Sequence, residues 1–248
     1  MQKIIILIFL ILTFICSCSE TNKTASDWLE KEKALWDGKQ YTDPKKAIEY
    51  LNKAIKLEPN NAVTYTHRGD AYYGLGQYQQ AIEDFNMAIC LKPDYPNAYN
   101  DRGNAHVKLG QYNKAVEDYN QVIRLKPNSE QSYLNRGVSY YKIGQEQQAI
   151  EDFNKAIQMK PDFVDAYFNR GAIYISKGDN ISGCRDAQKA CKLNNCKLLE
   201  AANKRGLCRW FNGRTLKLIT NSYYWHPIYW LISEFPYNRF IFLKSYDM

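Results

Sequence analysis

From Ala62 onward the chain repeats itself every 34 residues, and a chain built this way must bury its apolar surface by stacking one small unit on the next. Segments beginning at Ala62, Pro96, Glu130 and Val164 align without gaps. One column holds Tyr65, Tyr99, Tyr133 and Tyr167, another Gly69, Gly103, Gly137 and Gly171, and Pro93, Pro127 and Pro161 close three of the units. Within a unit, apolar and small residues recur at helical spacing, as in Tyr65, Gly69, Tyr72 and then Ala81, Phe85, Ala88. The pairs Gly69 and Ala81, Gly103 and Ala115, and Gly137 and Ala149 are small where two helices cross closely. The aromatic four residues later (Phe85, Tyr119, Phe153) fills the wedge beside that crossing. Gly76 supplies a helix C-cap and a tight connection. Proline then ends the second helix, because it cannot continue one. No single helix pair buries its stripe alone, so neighbours are obligatory. The predicted fold class is all-α.

This helix–turn–helix period resembles the tetratricopeptide repeat (TPR), over about residues 28–208. The resemblance implies a right-handed solenoid of about five repeats plus a C-terminal capping helix, and a task of binding other proteins. A degenerate unit comes first: Ala47, Leu51, Ala54 and Pro59 match the second-helix columns, and residues 28–38 read as its first helix, with Leu35 where glycine is expected. The last unit also departs, with Gly183 for the alanine, Ala187 for the aromatic and Asn195 for the proline. Residues 197–207 read as a single closing helix.

At the N-terminus, Lys3 precedes an almost wholly apolar run from Ile4 to Ile15. That run is too short to span a bilayer and typical of a secretory signal. The following Ile15-Cys16-Ser17-Cys18-Ser19 resembles the bacterial lipobox and makes Cys18 the acceptor. The resemblance implies removal of residues 1–17, diacylglycerol and a further acyl chain such as palmitate on Cys18, and a polar tether over 18–26. Two or more acyl chains anchor stably. The expected location is the cell membrane or outer membrane, facing periplasm or exterior.

The cysteines fit an oxidising compartment. Cys184, Cys191, Cys196 and Cys208 crowd into the last units. Cys184 and Cys191 lie on one helical face on the order of 10 Å apart, too far to pair. An antiparallel closing helix brings Cys196 near Cys191 and Cys208 near Cys184, so the expected disulfides are Cys191–Cys196 and Cys184–Cys208. Zinc is the competing reading, although the spacings do not match paired CxxC knuckles. Cys90 is expected to be a buried small hydrophobe beside the core.

The TPR resemblance also assigns a ligand groove, lined by the first helix of each unit. Carried onto this chain, its sixth column is His67, Asp101, Asn135 and Asn169, and its fifth is Thr66, Asn100, Leu134 and Phe168. The ninth is Asp70, Asn104, Val138 and Ala172, and the twelfth Tyr73, Val107, Tyr141 and Ile175. The groove is thus polar towards its N-terminal end and apolar towards the other. Asn104, Asn135 and Asn169 resemble the asparagine ladder that holds an extended peptide's backbone, each amide offering a donor and an acceptor. The lysines of a carboxylate clamp are absent from these columns. Arg68, Arg102, Arg136 and Arg170 recur in register with Asp84, Asp118, Asp152 and Asp186, which favours ion pairs along the stack over an anion site. Exposed pairs of that kind contribute only ~0.2–1 kcal/mol each.

Residues 209–248 form an aromatic-rich tail with two acids, Glu234 and Asp247, and with Pro227 and Pro236 interrupting any long helix. The formal charge of +7 is spread among mixed signs, with no basic stripe or nucleic-acid motif, so no nucleic-acid partner is expected. His67, His106 and His226, the only histidines, stand in unrelated contexts without a nucleophile elbow, phosphate loop or metal motif. No enzyme activity, cofactor or metal is expected. The sequence therefore reads as a lipid-anchored scaffold that binds a protein or peptide in its groove within an envelope complex. The alternative is a structural or self-associating protein whose groove holds its own tail.

Overall fold

The computed structural model describes residues 23–208. The signal, the Cys18 motif and the aromatic tail lie outside the described residues. Eleven α-helices are found among the described residues. The first two are α1 (Ala25–Lys33) and α2 (Pro44–Leu57). Three full repeats follow as α3 (Ala62–Gly74) with α4 (Tyr78–Leu91), α5 (Pro96–Lys108) with α6 (Tyr112–Leu125), and α7 (Glu130–Lys142) with α8 (Glu146–Met159). The last pair is α9 (Val164–Ser176) with α10 (Asn180–Lys192), closed by α11 (Lys197–Lys204).

Turn chemistry sets the repeat's length. In the first full repeat Gly76 takes φ +74, a left-handed conformation open to glycine. Its N–H donates to the Tyr73 carbonyl at 2.9 Å while that of Gln77 reaches Tyr72 at 2.9 Å, so the helix ends in a Schellman cap. Asn194 (φ 72) makes the corresponding bend before α11, a conformation that asparagine tolerates better than most residues.

The crossing glycines are dictated by contact with the aromatic column. A Cβ added at Gly69 would sit 2.6 Å from Phe85 Cε1, and one at Gly137 2.7 Å from Phe153 Cε1. Phe85, Tyr119 and Phe153 are at most 1% exposed, as the repeat pattern predicts. The last pair solves the same problem differently. Ala187 leaves the aromatic position empty, and Leu198 of α11 reaches in instead, 3.0 Å from the position of a Gly171 Cβ. Ile175 occupies the space at Gly183, 2.5 Å from where its Cβ would stand. The closing helix thus completes the wedge that the last repeat lacks.

The aspartate column is buried and the arginine column half-buried, which corrects the expectation of exposed pairs. The four aspartate side chains are only 4–7% exposed. Each arginine donates to its aspartate from Nε and Nη2, and Nη1 reaches an asparagine of the preceding repeat: Arg68 to Asn52, Arg102 to Asn86, Arg136 to Asn120, Arg170 to Asn154. Each guanidinium also lies about 5.5 Å from the ring of Tyr65, Tyr99, Tyr133 or Tyr167. One side chain therefore ties together two repeats.

Other expectations need correction. The helix starts at Ala25, capped by Thr24 and Asp27, so Ala25 and Ser26 are not tether. The first unit's helix ends at Lys33 rather than running to Gly38. Residues 35–42 reverse direction instead, through a Trp36–Tyr41 bridge, Asp37 accepting from the Lys39 and Gln40 N–H groups, and Gly38 at φ +97. Leu35, too large for the glycine position, packs beside Tyr41, Ala47, Leu51 and Ala71. The closing helix stops at Lys204 in a further glycine cap at Gly206. Cys90 is exposed, because its helix turns that face to solvent.

Candidate functional site

First helices of successive repeats, the loop between α1 and α2, and the starts of α2 and α4 line one open cavity of about 480 Å³. Its walls are Trp36 and Tyr41 in edge-to-face contact (ring centroids 5.0 Å apart) and Tyr73 and Tyr78 in a second such pair (5.3 Å). Asp70 and Asp101 contribute its carboxylates, and the exposed Lys39 and Lys108 also line it. A cleft lined by Glu32, Lys33, Trp36, Tyr41, His67 and Asp70 shares several of these residues.

Behind the cavity lies a buried acid. Glu32 is 1% exposed, accepts a hydrogen bond from the Tyr41 hydroxyl and stands 3.3 Å from His67 Nδ1. Burial, with the Glu32 bond second, pushes the Tyr41 hydroxyl far up, so Tyr41 is the donor. This triad fixes the degenerate first unit against α3.

Asp70 and Asp101 differ from every acid of the ion-pair ladder: among the described residues neither makes an ion pair. Burial pushes the Asp70 carboxyl up to about 8, with the charges of Asp101 and Glu32 adding to the effect. Burial raises Asp101 to about 6, against a lowering hydrogen bond from Asn100 Nδ2 at 3.0 Å. Charged carboxylates held without counter-ions are costly. Among the described residues no group of three or more histidine, cysteine or acidic side chains is arranged to hold a metal.

Further along, Asn135 Nδ2 donates to Asn104 Oδ1 at 3.4 Å, and Tyr119 donates to the same oxygen at 2.8 Å. Asn104 and Asn135 are thus linked across adjacent repeats. Asn169 instead donates to the Asp165 carbonyl of its own helix at 2.8 Å. Tyr141 is 42% exposed, whereas Val138 and Phe168 are half-buried. Thr66 and Leu134 are 3% and 5% exposed and leave the groove-facing set: Thr66 donates to the Ala62 carbonyl, and Leu134 packs with Ala149, Ile150 and Phe153.

A family model for the TPR repeat matches residues 44–76, 69–110, 103–144 and 139–178, together more than half of the chain. The chain belongs to the TPR family. Solved TPR structures bear out the fold. A MamA crystal structure is 28% identical over 61% of this chain and 89% of that one, with a TM-score of 0.59. MamA residues 41 to the end from Desulfovibrio magneticus RS-1 are 22% identical over 70% and 96%, with a TM-score of 0.65. YrrB, described as a TPR protein with an unusual peptide-binding site, is 21% identical over 77% and 97%, with a TM-score of 0.64. No curated protein matches.

Sequence columns brought Asp70, Tyr73 and Asp101 to one TPR cavity, but missed Glu32, Trp36, Tyr41 and Tyr78. A signal existed for two of them: one period before Thr66 and Asp70 stand Glu32 and Trp36. The first unit's weak columns concealed it.

Proposed function

We propose that this TPR chain is a scaffold that holds a segment of a partner protein in the groove lined by its first helices. The observation that carries the reading is the cavity itself, where Asp70, Tyr73 and Asp101 from two repeats converge with Trp36 and Tyr41. Edge-on aromatics and unpaired carboxylates at one place suit ligand contact better than folding. The linked Asn104 and Asn135 amides continue the groove with groups able to grip an extended backbone. Peptide binding by YrrB is consistent with this use of the fold.

The scaffold is lipid-anchored through Cys18 after removal of residues 1–17, and it works on the periplasmic or outer face of a cell-envelope membrane. The anchor is argued from the N-terminal motif alone; among the described residues no helix is long and apolar enough to cross a membrane. The two expected disulfides brace the closing helix in that oxidising setting. Cys184 lies beside Cys208 and Cys191 beside Cys196, with Cα atoms 5.6 and 3.9 Å apart.

The test is a pull-down from detergent-solubilised membranes, comparing wild type with a folded variant carrying His67→Ala, Asp101→Ala, Asn135→Ala and Asn169→Ala. Partners lost only in the variant support the groove. An unchanged partner list sinks it.

A further inference from the structure

The described part of the solenoid pairs its four buried aspartates with arginines but leaves two half-buried ones, Asp70 and Asp101, unpaired, and the exception defines a specificity. Asp84, Asp118, Asp152 and Asp186 each receive an arginine of their own repeat at 2.5–2.7 Å. Asp70 and Asp101 receive none, although they too sit in surroundings that disfavour charge. Lys39 and Lys108 share their cavity but remain exposed and make no ion pair with them among the described residues.

We propose that the cavity between Asp70, Asp101 and the aromatic pairs Trp36–Tyr41 and Tyr73–Tyr78 receives a lysine or arginine side chain of the partner peptide. The inference rests on the groove being a peptide site and specifies what the peptide must carry. An aliphatic stem lies against the rings while the cationic head meets the carboxylates, and aromatic faces attract such a head through their quadrupole. The volume, about 480 Å³, falls within the range of small-ligand sites and exceeds what one side chain fills, so flanking peptide atoms share it. An acidic or phosphorylated segment would meet three acidic side chains, Asp70, Asp101 and the buried Glu32 behind them, with only the exposed Lys39 and Lys108 of the cavity lining to offset them. A cation supplied from outside offsets what holds the Asp70 proton in place, burial first and the charges of Asp101 and Glu32 second. The partner's charge thus completes, at this position, the arrangement that arginine supplies within the other repeats.

The experiment uses the full chain in detergent micelles and four pools of capped nonapeptides, randomised except for a central lysine, arginine, norleucine or glutamate. Retained peptides are quantified by mass spectrometry. The expected result is at least tenfold enrichment of the lysine or arginine pool over norleucine, abolished in an Asp70→Asn, Asp101→Asn variant whose helical circular dichroism is unchanged. Equal retention of the lysine, arginine and norleucine pools overturns the cationic specificity while leaving peptide binding in the groove intact. Retention of no pool, before or after deletion of residues 209–248, overturns both readings. Retention appearing only after that deletion assigns the cavity to the chain's own tail and overturns an external partner.

Discussion

Arg136 donates from Nε and Nη2 to the two oxygens of Asp152, at 2.8 and 2.6 Å, and from Nη1 to Asn120 of the preceding repeat at 2.6 Å. The asparagine bond makes this pair a fastener between repeats as well as within one. Because the Asp152 side chain is 7% and that of Arg136 18% exposed, removing one partner strands the other where water reaches it poorly. Asp152→Ala is expected to cost about 3 kcal/mol, the lower end for breaking a buried pair. Urea unfolding followed by circular dichroism measures it; a loss below about 1 kcal/mol would return the ladder to the class of surface pairs.

The crossing glycines predict overpacking. In Gly137→Ala the new methyl would stand 2.7 Å from Phe153 Cε1 and 3.2 Å from Asp152 Cβ. The ring is buried and rigidly placed, so the helices must separate, at about 1–3 kcal/mol. By contrast, Gly74→Ala in the last turn of α3 meets nothing within 4 Å and is expected to be neutral or stabilising. Thermal melts of the two variants should move apart; matching shifts would contradict the wedge.

The groove acids predict a pH dependence of unusual sign. Folding raises the Asp70 and Asp101 carboxyls above their unfolded values, so the native state holds more protons. Their contribution to stability is fully present below about pH 4, where both states are protonated, and it declines as pH rises through about 6 and 8. Asp70→Asn should therefore raise the melting temperature at pH 8 and matter little at pH 4, each kcal/mol recovered being worth about 2–4 °C in a chain of this size. A lower melting temperature for the variant at pH 8 would show that Asp70 is structurally required.

The closing helix predicts redox sensitivity. Cys184–Cys208 spans 24 residues, against 5 for Cys191–Cys196. A cross-link closing a loop of about 25 residues stabilises by roughly 3.5 kcal/mol in the chain-entropy account. Mass spectrometry under non-reducing alkylation should show four protected cysteines, with Cys90 among the modified ones, and reduction should lower the melting temperature. Four alkylated cysteines in 184–208 would refute both bridges.

Much of the repeat was legible because its physics is local and recurrent. Gly69 facing Phe85, Gly76 at its turn and Pro93 after α4 each solve a problem posed within a few residues, and the solution returns every 34. What escaped was non-periodic. The short first helix and the Trp36–Tyr41 reversal occur where Leu35 stands in the glycine column, and the Glu32–Tyr41–His67 triad joins residues up to 35 apart. Likewise, the burial of the arginine ladder could not be read from charge columns, since a repeating ion pair looks alike in sequence whether wet or dry. Thr66 and Leu134 failed for a related reason: a column position fixes direction from the helix axis, but the adjoining helices decide whether solvent reaches it.

The central claim, that a partner lies in the groove of the first helices, is tested most directly by site-specific photo-crosslinking in cells. A benzophenone amino acid would replace Tyr73 in the cavity or, as a comparison, Met87, which is 44% exposed on the second helix of the same repeat. The account predicts discrete adducts at Tyr73, none at Met87, and loss of the Tyr73 adducts with Asp70→Asn and Asp101→Asn. Adducts at Met87 with none at Tyr73 would contradict it and place the partner on the opposite helices.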